Sequence, residues 1–148
     1  MRVAAIVTLL VLAACSKGSE WTEEQRVNAQ FVIEALNAKL EATRMSNTLP
    51  TMTAAESKEN RFVISKMREA YERAKMVHDD VLDKIHPEFR SLWKEKFTEG
   101  LRLRILSWES QCCELAWAEF KGQALLDEFG DWYTANRRNV RVPVSKQH

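Results

Sequence analysis

Apolar positions recur along residues 22–130 at three- and four-residue intervals, the spacing that gathers them on one face of an α-helix. A first helix is expected over residues 23–45, where Val32, Leu36 and Leu40 form a stripe with Val27 and Phe31 beside it. Thr22 followed by Gln25 is a capping-box pattern, and Thr53 followed by Glu56 repeats it ahead of a second helix. Residues 46–52, with Asn47 and Pro50, read as the connection. The second helix is expected over residues 54–84. There Val63, Met67, Ala70, Ala74, Val77 and Val81 make a heptad-like seam.

His86-Pro87 ends that run, because the residue before proline is disfavoured in the α region, while Pro87 suits the first position of a third helix. Trp93, Phe97, Leu101, Ile105, Trp108 and Cys112 carry its apolar row, which moves from Cys113 onward to Trp117, Phe120 and Ala124. Gly100 and Gly122 are points where the helix is expected to bend or end, turning three helices into four, and Gly130 is the expected stop. The pattern predicts an all-α fold, an antiparallel bundle of three or four helices with an extended basic C-terminal tail.

The first residues follow a different rule. Arg2 precedes Val3 to Ala14, an uncharged apolar run with Thr8 as its one polar residue. As a helix it would be roughly 18 Å long, short of the ~30 Å hydrocarbon core, so it reads as a secretory signal. Leu12, Ala13, Ala14 and Cys15 close it, and here the chain resembles the bacterial lipoproteins. The resemblance covers residues 1–16. It implies cleavage before Cys15, diacylglycerol on the Cys15 sulfur and acylation of the new amino group. Ser16 after the cysteine, where the family uses Asp for inner-membrane retention, implies the periplasmic face of the outer membrane. The expected organisation is a signal peptide over 1–14, a lipidated Cys15 and short linker over 15–21, a helical bundle over 22–130 and a tail over 131–148.

Charge and cysteine content narrow the classes. The 148 residues carry 22 basic and 21 acidic side chains, a formal +1, which provides no broad footprint for nucleic acid. Three cysteines are too few for a disulfide framework. Cys112 and Cys113 read first as small buried residues, with an intermolecular disulfide or redox thiol as the alternative in an oxidising compartment.

Candidate chemistry is sparse. His78, Asp79, Asp80, Asp83 and His86 form the one local cluster of potential ligands or acid/base groups. The two histidines lie about 12 Å apart along a helix, too far to share an ion, and the solvated end of a helix explains the cluster. Residues 89–133 hold nine of the thirteen aromatic side chains, read as core or as partner anchors. Trp132 and Tyr133 lie beyond the expected stop. Arg137, Arg138, Arg141 and Lys146 follow without an intervening acid, and Val140, Val142, Pro143 and Val144 read as an extended segment. The tail has three readings: folded back on its own acidic helix, touching anionic headgroups, or docking a partner.

The function expected from this pattern is a lipid-anchored, non-enzymatic protein-interaction module of the assembly, secretion-pilot or immunity type. Its partners would be the membrane, through Cys15, and an envelope protein met by Trp132, Tyr133, Arg137, Arg138 and Arg141. The alternative is a ligand- or lipid-binding bundle with a pocket lined by Trp93, Phe97, Trp108 and Trp117. No catalytic residue, cofactor or metal is expected.

Overall fold

The computed structural model describes residues 20–48, 58–110 and 115–143, which are helical and contain no strand. Five helices follow one another. These are α1 (Glu23–Thr48), α2 (Lys58–Lys75), the short α3 (Asp79–Ile85), α4 and α5 (Ala116–Asn136). Helix α4 begins over Phe89–Leu92, passes through π-helical turns over Trp93–Thr98 and resumes as α-helix over Glu99–Ser110. Helix α1 packs along α2, and α4 along α5, with α2 against α4 joining the two pairs.

The expected capping box at the start of α1 forms. The Gln25 N–H donates to Thr22 Oγ1 at 3.1 Å, and the Thr22 N–H donates to Gln25 Oε1 at 3.3 Å. The second box, Thr53 with Glu56, lies outside the described residues. Helix α1 runs through Thr48, three residues past its expected end.

The buried face of α1 differs from the expected stripe. Val32 is buried, but Leu40 is 45% exposed and Val27 55% exposed, while Ala29, Ala35, Ala38 and Ala42 are buried. Small side chains let two helix backbones approach closely, so the seam runs along the alanines and the larger residues are displaced from it. The facing seam of α2, Val63, Met67, Ala70, Ala74 and Val77, is buried as its spacing requires. Lys66 with Glu41 at 2.9 Å and Arg73 with Glu34 at 3.2 Å bridge the two helices.

The single helix expected over 54–84 is broken at Met76–His78. Asn28, buried on α1, donates from Nδ2 to the Met76 carbonyl oxygen at 2.9 Å and accepts the His78 N–H on Oδ1 at 2.8 Å. One amide side chain thereby satisfies a carbonyl leaving α2 and an N–H at the entrance to α3. His78 is extended, and Asp79 and Asp80 occupy the first turn of α3, where helix N-termini favour negative charge. Val77 and Val81 stay buried on either side of the break. Apolar spacing is the same with or without it.

The π-helical turns of α4 answer a spacing problem. Phe89, Trp93, Phe97 and Leu101 recur every four residues and all are buried. In an α-helix each such step overshoots the starting face by about 40°. Turns closed by i→i+5 bonds rotate less per residue, and the Glu99 N–H reaches back to the Lys94 carbonyl in this way. Trp93 and Phe97 stack with ring centroids 4.4 Å apart, and Trp93 Nε1 donates to the Ala74 carbonyl oxygen on α2 at 3.1 Å.

Gly130 does not stop α5, which continues to Asn136. An interior glycine costs about 1 kcal/mol relative to alanine, whereas the next turn brings Trp132 and Tyr133 onto the core. Gly100 and Gly122 likewise lie within helices, at the crossing of α4 and α5.

Candidate functional site

Both ends of the described chain meet on α3. Lys84 Nζ donates to the Glu20 carbonyl oxygen at 2.8 Å and to Gln25 Oε1 at 2.7 Å, and it sits 5.3 Å from the centroid of the Trp21 ring. Arg26 Nε donates to the Trp21 carbonyl oxygen at 3.3 Å. The next residue of α3, Ile85, offers its carbonyl oxygen to the Arg141 N–H at 3.5 Å. Between these contacts and α5, the His86 ring meets Trp132 edge-on at 5.1 Å.

The tail is therefore held for part of its length. Asn136 accepts the N–H groups of Asn139 and Val140, turning the chain back, and Val140 and Val142 pack on the core. Of the five residues expected to meet a partner, Trp132 and Tyr133 are half-buried against the core, through His86, Phe89 and Phe129. Arg137, Arg138 and Arg141 are exposed. Their guanidinium groups have no ion-pair partner among the described residues. Lys146 and Val144 lie outside those residues.

The aspartates of the cluster are tied down, Asp79 and Asp83 by ion pairs and Asp80 by a neutral amide. Lys94 on α4 binds Asp79 at 2.5 Å, Arg90 Nε donates to Asp83 at 2.7 Å, and Gln25 Nε2 donates to Asp80 at 2.9 Å. The Lys94 hydrogen bond holds the Asp79 carboxyl below its usual pKa, and the Gln25 hydrogen bond does the same for Asp80. These contacts strap α3 to both α1 and α4. His78 is exposed, and His86 Nδ1 accepts the Glu88 N–H at 3.2 Å. Among the described residues, no three His, Cys, Asp or Glu side chains are placed to hold a metal ion.

The aromatic set proposed for a pocket is dispersed. Trp93 and Phe97 are core, Trp108 is half-buried with Nε1 donating to Glu119 at 2.7 Å, and Trp117 is 52% exposed. The row expected after Cys113 lies on the outside of α5, with Phe120 75% exposed, while Ala118, Gly122, Leu126 and Phe129 face inward. Leu115, with φ −103° and ψ 13°, lies outside the α-helical region at the entrance to α5, so the phase of α4 does not carry into α5. Cys112 and Cys113, like Cys15, lie outside the described residues.

Buried polar side chains, Asn28 at the α2–α3 break and Arg104 among them, are not singled out by the sequence pattern. Arg104 is buried at the α4–α5 contact, 3.2 Å from Glu119 and over the Trp108 ring, and its Nη1 donates to Gln123. Burial lowers its pKa and Glu119 opposes the shift, yet its Nε has no partner among the described residues. The sequence signal was a charge on the buried stripe, next to Leu101 and Leu103.

No protein-family model, curated protein or solved structure matches the chain. Among the described residues, no helix is long and apolar enough to cross a membrane.

Proposed function

We propose that the chain is a lipoprotein of the bacterial outer membrane, held at the periplasmic face by acyl chains on Cys15, whose helical domain is a non-enzymatic protein-interaction module. In this reading the helices form an antiparallel bundle, with α3 as a short strut, and the module is of the assembly, secretion-pilot or immunity type. The Leu12–Cys15 box supports the anchor. The observation that carries the interaction role is the exposure of Trp117 and Phe120 on one face of α5, three residues apart, while the other large aromatics of α4 and α5 pack inward or are half-buried. Trp is among the residue types enriched at the energetic centres of protein interfaces, and Phe is enriched across interfaces generally.

Two surfaces follow along α5. Trp117 and Phe120 lie in its first turns, and Arg137, Arg138 and Arg141 come after its end, roughly 25 Å away along the helix axis. Trp132 and Tyr133 contribute only their exposed edges.

The test combines fatty-acid labelling with crosslinking in intact envelopes from a photoreactive residue at position 124, where Ala124 is exposed on the same face of α5. The expected result is label on the wild-type chain and none on Cys15→Ser. One crosslinked protein should also be lost from Trp117→Ser/Phe120→Ser while the variant's melting temperature stays unchanged. Absence of label removes the anchor, and unchanged crosslinking in the double variant removes the aromatic contact.

A further inference from the structure

We propose that Arg137, Arg138 and Arg141 contact the anionic phospholipid headgroups of the bilayer that holds Cys15. The inference rests on the lipoprotein reading and names the partner of one of its two surfaces.

The geometry that points there is the meeting of both chain ends on consecutive residues of α3. Lys84 holds the carbonyl of Glu20, and Ile85 holds the N–H of Arg141. Residues 16–20, five in number, separate Cys15 from this point and reach at most roughly 18 Å when extended. An anchored Cys15 therefore keeps this end of the domain close to the headgroups. The arginines stand at that same end, exposed and without a carboxylate partner among the described residues. Arginine suits phosphate because its planar fork donates two parallel hydrogen bonds.

The surrounding acids set the strength of the contact. Asp79 and Asp83 are already paired with Lys94 and Arg90, whereas Asp80 is held by the neutral Gln25 amide and keeps its charge. Glu20, Glu23 and Glu24, next to the Lys84 contact, Glu88, three residues after Ile85, and Asp131 on α5 are exposed and offset the cations. The free domain should thus bind anionic vesicles weakly. The anchor makes the encounter intramolecular, and the high effective concentration of headgroups then suffices. The contact fixes the tilt of the domain and directs the Trp117–Phe120 face away from the bilayer.

The test uses the purified full-length acylated protein in phosphatidylcholine vesicles with or without one part in four of phosphatidylglycerol. Trypsin cleavage after Arg137, Arg138 and Arg141 is followed by mass spectrometry and normalised to cleavage after Arg44 on α1. The expected result is tail cleavage about tenfold slower on the anionic vesicles, with the protection lost at ~1 M salt. Equal rates on the two vesicle types overturn the proposal, whether the tail is cleaved or shielded on both. Protection in detergent by polyglutamate as strong as that on anionic vesicles also overturns it, in favour of an acidic polypeptide. Finding no acyl chain on the protein defeats the lipoprotein reading alone. The same comparison, with the chain tethered by a histidine tag in place of residues 1–15 to nickel-chelating lipid in both vesicle types, then still decides the headgroup contact.

Discussion

Gly100 and Gly122 face one another across the α4–α5 crossing. A Cβ on Gly100 would stand 2.9 Å from the Gly122 carbonyl oxygen, and a Cβ on Gly122 would stand 2.9 Å from the Gly100 carbonyl oxygen. Neither obstacle is a side chain that could rotate away. Gly122→Ala should therefore push the helices apart and lower stability by about 1–3 kcal/mol, read from denaturant unfolding. Gly130 is the control. A Cβ there meets nothing within 4 Å, so Gly130→Ala should raise stability by about 0.5–1 kcal/mol.

Asn28 makes the break between α2 and α3 possible by serving the Met76 carbonyl and the His78 N–H together. Asn28→Ala leaves both groups without their partner and should cost about 2–3 kcal/mol. Asn28→Asp keeps an acceptor for His78 but loses the donor to Met76. Amide hydrogen exchange at His78 should accelerate strongly in the alanine variant and little in the aspartate variant.

Helix α3 should loosen at acid pH before the rest of the molecule. Asp79 and Asp80 have pKa values lowered from 3.8 by hydrogen bonds from Lys94 and Gln25. Below 3.8 the unfolded chain takes up more protons than the folded one, so stability falls as pH falls through the native pKa values, and the full contribution is present above 3.8. Amide protection of Val81 and Leu82, whose N–H groups bond to the His78 carbonyl, should decline first. Asp79→Asn/Asp80→Asn should flatten that decline.

Lys39 sits partly buried on α1 under the influence of Asp127 and Arg104, and burial lowers its pKa below 10.5 while Asp127 opposes the shift. Here the native chain holds its proton less tightly than the unfolded one. Stability accordingly climbs as pH rises towards 10.5. Lys39→Met should remove the climb and raise the melting temperature at neutral pH by about 2–4 °C. A lower melting temperature would mean that the attraction to Asp127 outweighs the desolvation.

Local signals were legible where one segment decides the outcome. The capping box of Thr22 and Gln25, the α2 seam from Val63 to Val77, and the bulky positions Trp93, Phe97 and Leu101 follow from propensity and period. Composition marks the arginines after residue 136 as a run without an intervening acid, while only the packing shows that none has an ion-pair partner among the described residues.

The remaining features depend on neighbours distant in sequence. Apolar size singled out Leu40 and Val27, yet α2 approaches the alanine face of α1 and leaves both outside. Period ran through Met76–His78, because Asn28, some fifty residues earlier, provides the bonds that a continuous helix would have made. Glycine marked helix ends on paper, but at Gly100 and Gly122 it marks a crossing, and at Gly130 the burial of Trp132 and Tyr133 carries α5 onward. A sequence determines which residues favour a helix and which prefer to leave water. Which face of each helix is covered, and where a helix yields, is decided by the surface that packs against it.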